Sequence, residues 1–82
     1  MSPTANIDEL VDFLVKSLVE HPDEVNIEKR STGDGTLYEI SLHSDDVGKV
    51  IGRQGRVIKA IRTLVRAAAS VDGGDASVEV IG

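Results

Sequence analysis

A chain of 82 residues makes one domain, and at this size folding buries only about 60% of the surface that the unfolded chain exposes, which excludes a large enzyme core. Nine Lys and Arg against 14 Asp and Glu leave a net charge of −5, which excludes nucleic-acid binding by bulk charge, and zero Cys excludes disulfides, a thiolate nucleophile and cysteine-ligated metal. The composition, 40% hydrophobic and 28% charged, is that of a folding chain, while two aromatics, Phe13 and Tyr38, are too few for recognition by rows of stacked rings.

Ile7, Leu10, Val11, Leu14 and Leu18 recur at helical spacing, which predicts an amphipathic helix from Ile7 to Glu20, opened by Asn6 with Glu9 three residues on and closed by Pro22. Phe13 lies off that stripe and is expected to be exposed or half-covered, the alternative being a contact for a partner. From Val25 the period becomes two, through Ile27 to about Ser31. Gly33-Asp34-Gly35 is expected to supply positive-φ positions for a tight turn, and Leu37 to His43 alternates again with Tyr38, Ile40 and Leu42 on one face, so a β-hairpin is predicted. Ser44-Asp45-Asp46 is expected to start a helix, with a capping hydroxyl and two carboxylates at the positive end of the dipole. Gly52 interrupts that helix after Val47, Val50 and Ile51. A longer one is predicted from Gln54 or Gly55 to Val71, with Val57, Ile58, Ile61, Leu64, Val65 and Ala68 on the core side and Arg56, Lys59, Arg62 and Arg66 opposite. Asp72-Gly73-Gly74-Asp75 ends it, and Ala76, Val78 and Val80 alternate with their neighbours in a last strand up to Ile81. The order α-β-β-α-α-β, with no repeat and no linker, predicts an α+β fold with one layer of helices on a three-stranded sheet, a single domain over 1–82 with its core at about 7–81.

The charges are segregated. From Val47 to Ala69 there is no Asp or Glu, while Lys49, Arg53, Arg56, Lys59, Arg62 and Arg66 give that segment +6 and leave −11 for the remainder. A local basic surface on an acidic chain attracts polyanions at one place and repels them elsewhere. Within the segment, Gly52-Arg53-Gln54-Gly55 sets a Gly-x-x-Gly between two helices. Without Cβ atoms the two glycines let a sugar-phosphate chain approach main-chain N–H groups, and the start of the following helix adds its positive dipole end. Arg53 suits a charge-assisted phosphate contact, Gln54 a hydrogen bond, and Lys49 and Arg56 flank them. Lys59 is counted among the RNA-binding residues and, with Arg62 and Arg66, carries the charge along a face that turns partly away from the loop. Val50, Ile51 and Ile58 are expected to form an apolar floor for bases.

Val47-Gly48-Lys49-Val50-Ile51-Gly52-Arg53-Gln54-Gly55 resembles the V-I-G-x-x-G signature of the KH RNA-binding domain, and the order with a helix first resembles its type II arrangement. His21-Pro22-Asp23-Glu24-Val25 and Ala60-Ile61-Arg62-Thr63-Leu64-Val65 also look like the KhpA family of small stand-alone bacterial KH proteins, so the resemblance covers roughly Ile7 to Ile81. It implies a mixed sheet with one parallel strand pair. It also implies a cytoplasmic protein that binds single-stranded RNA, acts as an RNA chaperone or in post-transcriptional regulation, and pairs with itself or with a larger KhpB-type KH protein. The backbone clamp then maps onto Gly52, Arg53, Gln54 and Gly55, and the groove onto Val47, Val50, Ile51 and Ile58, with Ile40 beside them.

Other chemistries fit less well. The loop has neither the four-residue spacing and Lys-Ser/Thr of a Walker loop nor the third glycine of a dinucleotide fingerprint. His21 and His43 sit at a helix end and a strand end without a histidine or cysteine nearby in the sequence, so they are expected to be solvated rather than metal ligands or catalysts. No apolar run exceeds three residues, so no membrane span or signal-peptide core is expected. No catalytic group, metal, cofactor or small-molecule substrate is expected. The alternative function is a protein-interaction or dimerisation module whose basic helix meets an acidic partner without touching RNA.

Overall fold

The computed structural model describes residues 7–33, 35–71 and 73–81; Asn6, Asp34 and Asp72, expected in a cap and two turns, lie outside them. The elements are α1 (Ile7–Lys16), β1 (Asn26–Ser31), β2 (Thr36–Ser41), α2 (Ser44–Ile51), α3 (Arg56–Ser70) and β3 (Ala76–Ile81), with single 3₁₀ turns at Pro22–Glu24 and Arg53–Gly55. This is the α-β-β-α-α-β order read from the periodicities. β1 runs antiparallel to β2 with Ile27 opposite Ile40, and β3 runs parallel to β2 with Val78 opposite Tyr38, so the mixed sheet has the order β1-β2-β3. A parallel pair needs a crossover over one face of the sheet, and α2 and α3 supply it.

The apolar stripes meet in one layer. Val11 and Val15 of α1, Val50 of α2 and Ile58, Ile61, Val65 and Ala69 of α3 pack with Tyr38, Ile40, Ala76 and Val78 of the sheet. Tyr38 closes the layer at one end by donating its O–H to Asp8 Oδ1 (2.6 Å), tying β2 to α1. Burial, and then this bond, push the phenol up, while the same bond, ahead of burial that opposes it, pulls Asp8 below the usual carboxylate range.

Five local expectations are corrected. α1 stops at Lys16 rather than Glu20, because the Glu20 and His21 amides donate to the Asp46 carboxylate instead of to helix carbonyls. Leu18 is left at the surface and Val19 packs against the core in its place. In the hairpin neither Gly33 nor Gly35 has positive φ; Gly35 is needed because a Cβ there would overlap the Asp75 carbonyl, which accepts the Thr36 N–H at the mouth of the parallel pair. His43, not Ser44, caps α2: its Nδ1 accepts the Asp45 N–H (3.0 Å). On α3, Leu64 is 51% exposed and Ala69 takes a buried place. That helix ends as a Schellman turn, with Gly73 at φ 78° and the Gly74 N–H donating to the Ala69 carbonyl (3.1 Å).

Candidate functional site

α2 stops where Gly52 turns to φ 78°, ψ 172°, its N–H still bonded to the Gly48 carbonyl (2.8 Å). Gln54 follows at φ 57°, ψ 24° and Gly55 at φ 74°, ψ 16°, so three of the four loop residues sit at positive φ. The two glycines differ in kind. A Cβ on Gly52 would collide with Val57, both side chain and amide nitrogen, whereas Gly55 faces open space. Gln54, a residue with a Cβ, holds the left-handed region at a cost of roughly 1–2 kcal/mol, at the exposed tip of the loop. The glycines' own amides are engaged inside the loop, Gly55 N–H with the Gly52 carbonyl (3.1 Å), so they are not the free donors the sequence suggested.

The six cations of the acid-free segment divide into two groups. Lys49 leaves the loop and bridges Glu20 (2.6 Å) and the Asp46 carboxylate (3.5 Å); the Glu20 bond pushes the ammonium up and pulls Glu20 down. Arg62 donates Nε–H to the Val78 carbonyl of β3 (3.0 Å). Arg53, Arg56, Lys59 and Arg66 are exposed, and among the described residues none pairs with a carboxylate; Arg56 reaches only the Gln54 side-chain oxygen, at 3.4 Å. Elsewhere the cations are neutralised: Lys16 by Asp12, Lys29 by Asp8 and Arg30 by Glu39. The bare positive charge therefore lies on the loop and the solvent side of α3.

The expected apolar floor is smaller than the sequence suggested. Val50 and Ile40 are 0% exposed and Ile58 is 7% exposed, so all three pack the core and offer a base no surface, while Val47 and Ile51 stay half-buried beside the loop. The helical stripe of α2 has one apolar side only, and the core takes it first.

By its place in the sequence Asp46 is a dipole-compensating carboxylate; in the fold it is fully buried on α2. Oδ1 and Oδ2 accept the Glu20 and His21 amides (3.0 Å each), and Oδ2 also meets His21 Nδ1 (3.1 Å). Burial alone would raise this carboxyl, but the two amides and His21 outweigh it and hold it at about 2. His21 and His43 are not apart: their rings stack at 3.9 Å, inclined by 10°. With Asp45 they bring ligand-type atoms within 4.8 Å of one another. Both Nδ1 atoms are already engaged, and in nearly parallel rings the in-plane lone pairs do not converge on one ion, so the contact serves packing. A cleft lies among Asp8, Glu9, Asp12, Ile27, Lys29 and Tyr38; three carboxylates against one lysine give it the wrong sign for a polyanion.

A left-handed Gly-x-x-Gly connection between two helices, set over a mixed sheet with one parallel pair, defines a KH domain of the type II arrangement. The model of the family described as "KhpA/KhpB, KH domain" matches residues 8–80, and the chain belongs to that family. The chain is 43% identical over 75 residues to RNA-binding protein KhpA of Listeria monocytogenes, covering 92% of this chain and 99% of that one. It is 42% identical over 73 residues to the protein of the same name from Clostridium perfringens, with 89% and 97% covered, and 48% identical over 61 residues to that of Halalkalibacterium halodurans, with 74% and 80% covered. These relatives are named as binding proteins, not enzymes. Among solved structures, Era of Aquifex aeolicus matches 98% of this chain with a TM-score of 0.59 at 20% identity; the chain spans 31% of Era's length, and the likeness is one of fold. No described helix is long and apolar enough to cross a membrane.

Proposed function

We propose that this protein binds single-stranded RNA, with the backbone clamped at Gly52-Arg53-Gln54-Gly55 and bases resting against Val47 and Ile51. The observation that carries this reading is the loop itself: an exposed left-handed turn whose Arg53 has no carboxylate partner among the described residues, in a chain where acids outnumber bases. The names of the relatives support the ligand class. Arg53 supplies the charge-assisted contact, and the start of α3 adds its dipole. Lys49 stabilises the tether to Glu20 and Asp46 and contributes little to the clamp. Gene regulation after transcription, or RNA chaperoning in the cytoplasm, is the role such binding serves. Pairing with a second copy or a larger KhpB-type protein would cover exposed apolar side chains such as Phe13 and Leu64.

The test is the double variant Arg53→Asp with Gln54→Asp. Asp tolerates the left-handed region, and both positions are exposed, so the stability change stays within about 0.5 kcal/mol, or roughly 2–4 °C in the unfolding midpoint. Binding to a twelve-nucleotide single-stranded RNA should disappear in a gel-shift or anisotropy titration. Unchanged binding removes the loop from the mechanism, whereas no RNA binding by the wild type would leave an acidic protein as the partner of the basic helix.

A further inference from the structure

A KH loop clamps about four nucleotides, yet the uncompensated charge does not stop there. At 100° per residue Arg56, Lys59, Thr63, Arg66 and Ser70 fall within one narrow arc of α3, and all five are exposed. Arg56 and Arg66 are ten residues apart, about 15 Å along the axis. Arg62, which would widen the arc, is held by the β3 carbonyl instead. No carboxylate occurs from Val47 to Val71, and in a molecule with net charge −5 neither Lys59 nor Arg66 has an ion-pair partner among the described residues. Neither side chain serves the core. Uncompensated cations aligned on one rigid element attract an external polyanion, and with no aromatic on the stripe they hold a backbone without reading its bases.

We propose that Lys59 and Arg66 form a phosphate track along α3 that holds the RNA segment flanking the clamped nucleotides, so that the footprint is longer than the loop and groove alone provide. This rests on the RNA-binding reading above. It makes affinity a function of RNA length and leaves sequence preference unaltered.

The experiment compares a four-nucleotide and a twelve-nucleotide RNA sharing the same core, titrated by NMR so that weak binding is measurable. The proteins are the wild type, Lys59→Ala with Arg66→Ala, and the loop double variant. Both alanines enter exposed helix positions, where alanine is the best helix former. In the wild type two extra neutralised phosphates should steepen the log-log salt slope for the long RNA by about 1.4 and tighten it about 25-fold at 0.1 M salt relative to the short one. The alanine pair should remove that increment and leave the four-nucleotide affinity unchanged, while the loop variant should lose both RNAs. A long-RNA affinity and slope unaltered by the alanine pair would overturn the track, as would equal weakening of both lengths. Retained binding by the loop variant would overturn the clamp instead, because the two variants share no residue.

Discussion

Three residues of the loop adopt a backbone that side chains resist, and they do so for different reasons. Gly52 is compelled twice, by φ 78° and by Val57 packed against the place a Cβ would take; Gly55 is compelled only by φ 74°. Gly52→Ala should therefore cost the left-handed penalty and an overpacking penalty together, roughly 2–5 kcal/mol, against roughly 1–2 kcal/mol for Gly55→Ala. Urea unfolding of the two variants measures the difference directly, and equal losses would mean that Val57 yields without cost. Both glycines were legible in the sequence as a Gly-x-x-Gly. Their inequality was not, since it depends on the side chain at Val57 folding back over Gly52. Gln54 was legible as a polar loop residue, but nothing in its type announces the left-handed conformation it carries.

The behaviour of α2 as an element follows from its second acidic residue. Asp46 gathers the chain between α1 and β1 onto the helix that leads into the loop, and it does so as an anion. Its folded pKa, about 2, lies below the ordinary 3.8, so the charged form favours the folded state. That stabilisation is complete above about pH 4 and disappears as the pH falls through about 2. Asp46→Asn removes it at every pH: the variant should melt below the wild type at pH 7, and the gap should close as both are titrated from pH 4 to pH 2. A gap independent of pH would show that the packing of residue 46, not its charge, is what matters. Periodicity and cap residues predicted all six helices and strands, because both signals are local; the expected end of α1 is four residues too far because a carboxylate 26 positions away from Glu20 claims the amides there. The buried Val50 and Ile58 show the same limit. One apolar side cannot be both core and groove, and only the packed sheet decides which it is.

For the whole molecule, the sequence displays where cations cluster but not which of them are free. Lys49 is neutralised by Glu20, 29 positions away, and the Arg62 Nε–H is held by a carbonyl 16 positions away, contacts that exist only once the chain after α1 packs on α2 and α3 packs on β3. What remains is an anionic domain with one cationic strip, and the two kinds of surface respond to salt differently. If a short RNA neutralises three phosphates, its log-log salt slope should be near −2, so that raising salt from 50 to 200 mM weakens binding about sixteen-fold. Folding should barely notice the same change, because the fold rests on one buried apolar layer and each exposed ion pair contributes at most about 1 kcal/mol. Anisotropy titrations and thermal melts over one salt series measure both. A flat binding curve would mean that no phosphate is neutralised, which transfers the strip to a protein partner, whereas a melting point falling in step with affinity would mean that salt acts on the fold and not on the interface.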